Sequence, residues 1–133
     1  MRWEELQVGE EYGPIVYTVT DELIRSYVEA TEDAHPWYLD GSPFGGRIAP
    51  PTLTAGDGPV LLISTKGYSS GLLARQDAEF FAPVKLGDTI SVRGRLAEKY
   101  TKRGRRYIAF EYEGTDQRGE RVFHQRITQT VDD

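Results

Sequence analysis

The first apolar run, PIVYTV (Pro14 to Val19), is β-rich and predicts a short strand. Thr20 follows as a helix N-cap, and Asp21 and Glu22 occupy the first turn, where negative charge suits the helix dipole. Leu23, Ile24, Tyr27 and Val28 then recur at the spacing of one helical face, which predicts a helix over 21–31. From Glu32 to Arg47 the chain has two prolines, three glycines and no period. Irregular segments of this length inside compact domains often carry function.

The pattern changes again at PPTLTAGDGPVLLISTKG. Pro51 suits the first turn of a helix, where a missing N–H costs nothing. Val60, Leu61, Leu62 and Ile63 form an apolar block that fits an element buried all round. Gly56, Gly58 and Pro59 are poor interior helix residues, so a break near Gly58 is expected.

From Gly71 the pattern is β. Leu72 to Phe81 is a strand with mixed faces, and Pro83 to Asp88 (PVKLGD) is a turn. Ile90, Val92 and Leu96 sit at even spacings before a hairpin turn at Thr101 to Gly104. Ile108, Phe110 and Tyr112 alternate with Tyr107, Ala109 and Glu111; Asp116 to Gly119 turns the chain into a last strand over 121–131. Strand, helix, loop, buried helix and then a run of long antiparallel strands imply an α+β architecture, a curved sheet wrapped around one central helix.

Composition narrows the function. The length of 133 residues suits a single domain spanning 1–133. Apolar residues at 38% and charged residues at 28% exclude wholesale disorder. A net charge of −5 argues against general nucleic-acid binding. No window approaches the ~18 apolar residues that span a bilayer, and no apolar run follows the N-terminal arginine as in a secretory signal. The expected location is the cytoplasm. With no cysteine and only two histidines, no metal site is expected. Ser42 and Ser64 lack the setting of a hydrolase nucleophile.

The run SYVEATEDAHPWYLDGSPFGGRIAPPTL resembles the signature region of the MaoC-like hydratase/dehydratase family of hot-dog folds. Members read Asp-x-Asn-Pro-x-His-x-Asp, then Ile-Ala-His-Gly at the start of the central helix. Asp33, Pro36 and Asp40 match, and PVKLGDTISVRGRL resembles the family's segment entering a long strand. The resemblance covers nearly the whole chain. It implies reversible addition of water across the C2–C3 double bond of an acyl thioester on CoA or acyl carrier protein. An Asp–His pair would move the protons, and a backbone N–H at the helix mouth would stabilise the thioester oxygen. No cofactor is implied beyond the CoA or phosphopantetheine of the substrate. The implied partner is another hot-dog subunit, in a homodimer or a heterodimer.

Two departures matter. Tyr38 stands at the family's His position and His35 at its Asn position. A tyrosine with a pKa near ~10 donates at neutral pH but does not serve readily as a base. In an extended segment Asp33 and His35 face the same side, and Pro36 favours extended geometry at residue 35. At the helix mouth Pro50-Pro51 replaces His-Gly, so Pro51 has no N–H where the family donates one. The Thr52 N–H is the substitute. The Ala-Pro-Pro-Thr version resembles the N-terminal halves of double hot-dog dehydratases and the acyl-binding subunits of heterodimeric ones.

Three functions therefore stand open. The first is an (R)-type enoyl-thioester hydratase or 3-hydroxyacyl dehydratase, with Asp33 as base and His35 or Tyr38 as proton partner. The second is a non-catalytic acyl-binding subunit, and the third a hot-dog thioesterase. Each singled-out residue also has a plainer reading. Asp33 could simply end a helix, His35 sit in a loop, Trp37 and Tyr38 anchor that loop, and His124 lie on a sheet face. The basic cluster Lys99 to Arg106 is a solvated hairpin tip, or else Arg103 and Arg105 contact CoA phosphates or an acidic carrier protein.

Overall fold

A computed structural model describes residues 2–67 and 71–132. A 3-10 turn, Trp3–Glu5, precedes β1 (Glu11–Thr18), α1 (Asp21–Thr31) and a single turn α2 (Pro36–Leu39). A 3-10 segment, Pro51–Gly56, runs into α3 (Asp57–Lys66), and β2 (Leu73–Phe80), β3 (Thr89–Lys102), β4 (Arg105–Thr115) and β5 (Arg121–Thr130) complete the chain. The strands form one antiparallel sheet in the order β1-β3-β4-β5-β2. This is the antiparallel sheet and central helix that the pattern predicted, in the arrangement that the family resemblance implied.

Local chemistry sets most of the boundaries. The Thr20 hydroxyl accepts from the Leu23 amide at 3.1 Å and starts α1 where expected. Glu32 ends it in the left-handed region at φ 54°, with the Asp33 amide donating to the Val28 carbonyl at 3.2 Å. Arg103 and Gly104 carry positive φ at the β3–β4 tip, as a two-residue hairpin with right-handed strand twist requires.

The core fills the space between the sheet and α3. Ile90, Val92, Leu96, Ile108 and Phe110 meet Leu61 and Leu62, all fully buried. The break expected near Gly58 falls at the Gly56–Asp57 junction, where 3-10 geometry gives way to α. One expectation needs correcting, because the element is not buried all round: Val60 is 51% exposed, while the side chain of Ile63 lies outside what is described. The reason is that the sheet covers only one side of α3.

Gly58 is needed for a different reason from the one its helix propensity suggests. A Cβ there would overlap the ring of Tyr112, which is buried and held by hydrogen bonds to the Ala55 carbonyl (3.0 Å) and Gln125 Oε1 (2.9 Å). Gly58→Ala is expected to destabilise the domain by about 1–3 kcal/mol through overpacking, although alanine is the better helix former. A denaturant midpoint at or above the wild-type value would disprove the contact.

Candidate active site

The irregular segment after α1 is held by backbone bonds to the entry of the central element. The Ile48 amide donates to the Trp37 carbonyl at 3.0 Å, and the Ala49 amide to the Val84 carbonyl at 2.7 Å. Arg47 fastens the segment from the side: its Nε donates to the Tyr38 carbonyl at 2.8 Å and its Nη1 pairs with Asp21 at 2.7 Å. Gly45 and Gly46, both at positive φ, close the tight bend within the segment. Residues 33–38 therefore lie beside the chain that enters Pro50 and Pro51.

His35 precedes Pro36 with φ −59° and ψ 136°, the extended geometry that a following proline imposes. Its Nδ1 accepts from the Trp37 amide at 3.2 Å and caps α2. That bond places the lone pair on Nδ1, so the neutral ring carries its proton on Nε2 and is a donor there. The His35 ring lies 5.2 Å from the Trp37 ring and 5.6 Å from the Tyr38 ring, and Trp37 meets Phe44 edge-on at 5.7 Å. Trp37 thus anchors the loop, while Tyr38 packs against the core. Burial raises the Tyr38 phenol above its usual pKa, and the charge of Asp33 and the Tyr27 phenol raise it further. Tyr38 is accordingly a neutral donor throughout the physiological range.

At the helix mouth Pro50 caps the 3-10 segment and Pro51 opens it. Neither has an N–H, and the Leu53 amide is engaged with the Pro50 carbonyl at 2.9 Å. The Thr52 N–H is the donor that remains. The Tyr27 hydroxyl donates to Thr52 Oγ1 at 2.7 Å. Tyr27 also adds to the upward shift of the Tyr38 phenol.

Next to Thr52 a groove of about 580 Å³ runs between β1, α1 and α3. Ile15, Leu23, Leu53 and Val60 supply apolar walls, and Tyr17 and Asp57 add a polar pair. The Tyr17 hydroxyl donates to Asp57 Oδ2 at 2.8 Å. Asp57 is only 9% exposed. Burial pushes its carboxyl up to about 7, against the opposing pull of the Tyr17 bond. Tyr17 is raised in turn, by burial first and then by Asp57.

Behind this groove lies a buried polar network. Tyr112 and Gln76 both donate to Gln125 Oε1, at 2.9 and 3.2 Å, and Gln125 Nε2 donates to Thr54 Oγ1 at 3.0 Å. The network ties the 3-10 segment to β4, β5 and β2 and fixes the direction in which its first turn points.

The structure thus brings Asp33, His35, Trp37, Tyr38, Pro51 and Thr52 to one end of the molecule. It does not bring Arg103 and Arg105 there. These two sit at the β3–β4 tip, fourteen strand residues from the end of β3 that adjoins the 83–88 turn. At about 3.3 Å per residue the tip is remote from the site of the same chain. His124 lies on the outer sheet face with Arg93, Arg95 and Glu113, as expected. Sequence reasoning missed Tyr27, Tyr17 and Asp57. A lone acid in a Gly-Asp-Gly-Pro break of an apolar segment was the available signal for Asp57. Among the described residues there is no cluster of three metal-ligating side chains and no helix long and apolar enough to cross a membrane.

Comparison with known proteins agrees with this geometry. The fold matches the (R)-hydratase PhaJ1 of Pseudomonas aeruginosa at a TM-score of 0.85 and 20% identity, covering 98% of this chain and 85% of that one. It matches a MaoC-like dehydratase of Rhodospirillum rubrum at 0.78 and 24% identity, covering 96% and 94%. It also matches the HadBC (3R)-hydroxyacyl-ACP dehydratase complex of Mycobacterium tuberculosis at 0.79 and 18% identity, covering 93% and 96%. No curated protein matches the sequence. The model of the FAS1-like dehydratase domain region matches residues 6–125, nearly the whole chain, and this protein therefore belongs to that family.

Proposed function

We propose that the chain is an acyl-thioester hydratase/dehydratase, adding water to a trans-2-enoyl thioester or removing it from a 3-hydroxyacyl thioester. The observation that carries this reading is the hydrogen bond from the Tyr27 hydroxyl to Thr52 Oγ1 beside an apolar groove that Tyr27 and Leu53 line.

In the hydration direction the Asp33 carboxylate takes a proton from water. The hydroxide oxygen bonds to C3, and the C2–C3 π electrons shift onto the thioester oxygen. The Thr52 N–H at the start of the 3-10 segment stabilises that oxygen. The resulting enolate takes a proton at C2 from the Tyr38 hydroxyl or from His35 Nε2, and the proton held by Asp33 passes back to that donor, which closes the cycle. His35 and Tyr38 are both arranged as donors, which leaves Asp33 as the base. The acyl chain lies in the groove against Leu53 and Val60.

A second reading is favoured by one feature. Pro51 has no N–H where the family resemblance expects its donor. On that reading the chain binds the acyl group while another hot-dog subunit supplies the chemistry. The HadBC dehydratase of Mycobacterium tuberculosis, which shares the fold, is a complex.

One experiment separates these readings. A panel of enoyl-CoAs is offered to the isolated protein, and loss of the conjugated double bond is followed. Turnover supports the hydratase. Binding without turnover, with activity appearing only on addition of a second subunit that carries an Asp–His pair, supports the acyl-binding role. Release of free thiol points to a thioesterase, and absence of both binding and turnover refutes the proposal.

A further inference from the structure

The apolar groove carries a group that a plain acyl chain does not need. Leu53, Gly56, Asp57 and Val60 line it from the central element. Their spacing puts them on one stripe, so the groove follows the axis of that element inward from its mouth. Among the described residues that line it, Asp57 is the one acid, and there is no cation.

The carboxyl is incompletely paired. Asp57 is buried, and its Oδ2 accepts from the Tyr17 hydroxyl at 2.8 Å. Its Oδ1 has no hydrogen-bond partner among the described residues. A buried polar oxygen left in that condition calls for a partner. Gly56 leaves room beside it, since a Cβ at that position would meet nothing within 4 Å. Burial raises the Asp57 carboxyl to about 7, so its ionised and protonated forms are both present near neutral pH.

We propose that Asp57 selects the substrate: the groove takes an acyl thioester whose chain carries a hydroxyl far from the thioester, and that hydroxyl meets Asp57 Oδ1. The inference rests on the hydratase/dehydratase reading in so far as that reading lays an acyl chain in this groove. A hydroxyl serves the carboxyl in both of its states, because it donates to the carboxylate and accepts from the carboxylic acid. An ammonium serves only the ionised form and gives up its hydration to enter apolar walls. A plain methylene chain covers Oδ1 and leaves it unpaired. The position of the hydroxyl follows from the element. From Thr52 to Asp57 the 3-10 rise of about 2.0 Å per residue gives about 10 Å. An extended chain gains about 1.1–1.2 Å per bond, a third of the span of an extended residue. The hydroxyl therefore belongs about eight bonds beyond the carbonyl carbon.

The test uses saturated acyl-CoAs, which have no double bond to hydrate and so report binding apart from turnover. They share one length and carry a hydroxyl moved carbon by carbon along the chain. The unsubstituted chain and an amine at the best position complete the set, and dissociation constants are measured by titration calorimetry. A hydroxyl about eight bonds from the carbonyl carbon is expected to tighten binding at least about tenfold over the unsubstituted chain, and hydroxyls elsewhere to weaken it. The double variant Tyr17→Phe/Asp57→Leu removes both partners of the buried bond and leaves neither unpaired. In that variant the ratio of the two affinities is expected to fall to one or below, because the hydroxyl then meets apolar walls alone. A purely structural Asp57 would leave the ratio as it is in the wild type. Equal affinity of the wild type for hydroxylated and unsubstituted chains would overturn the inference and leave the hydratase reading standing. So would tighter binding of the amine than of the hydroxyl, or a gain spread evenly along the chain. Binding of none of these thioesters would overturn both. If circular dichroism shows the double variant to be unfolded, the dependence on hydroxyl position in the wild type decides alone.

Discussion

Asp33→Asn is expected to lower hydratase turnover by about 10²–10⁴-fold, the range that a positioned general base contributes. The substitution keeps the size of the side chain and leaves the Asp33 amide free to close α1 on the Val28 carbonyl. Asp33 is exposed, so stability should change by no more than about 0.5 kcal/mol. Activity and stability are thereby separated in one variant. The neighbouring donors cannot replace the lost base. His35 holds its lone pair on Nδ1, engaged with the Trp37 amide, and Tyr38 is kept protonated chiefly by burial, which the substitution leaves in place. Initial rates on an enoyl-CoA give the first quantity and a thermal melt the second. Unchanged turnover in the folded variant would remove Asp33 from the chemistry and shift the reading toward an acyl-binding subunit.

The second large effect is on stability against pH. The Asp57 carboxyl has a pKa of about 7 in the folded chain, against about 3.9 for a free aspartate. Between those values the folded state binds more protons than the unfolded state. Stability therefore falls as pH rises from about 4 to about 7, and remains low above that range. The gap between the two values corresponds to an upper bound of about 4 kcal/mol. That is a large fraction of the roughly 5–15 kcal/mol typical of a folded domain. Asp57→Asn removes the ionisation and keeps an oxygen to accept from Tyr17. The variant and wild type should melt together near pH ~3, below the unfolded-state value, where the wild-type carboxyl is protonated in both states. At pH ~8 the variant should be more stable by about 2–4 kcal/mol. Equal melting under those alkaline conditions would mean that the carboxyl ionises freely where it stands. A carboxyl buried at the wall of the apolar groove at a cost in stability accords with a role in binding.

Much of the architecture was legible in the residues themselves, because the signals are local. Thr20 starts α1 through its own hydroxyl, three residues from the amide it caps. The alternation of Ile90, Val92 and Leu96 marks the buried face of β3 without reference to any partner. The motif from Asp33 to Tyr38 stood out through the family resemblance that Asp33, Pro36 and Asp40 carry, and the extended geometry at His35 follows from the proline after it. The double proline also announced the absent N–H at the helix mouth.

What the chain alone determined, then, is the order and type of its elements and the segment that carries the candidate chemistry. Sterics and hydrogen bonds within a few residues are sufficient for that. Tertiary structure alone decided which distant groups meet. Tyr17 reaches Asp57 across 40 residues and Tyr27 reaches Thr52 across 25, and neither separation leaves a trace in local pattern. The raised pKa of Asp57 comes from desolvation, which exists only once α1, α3 and the sheet have closed around it. The same closure put Arg103 and Arg105 at the far tip of the sheet and left β2 uncovered along one side. Burial and pairing between remote segments are properties of the packed chain.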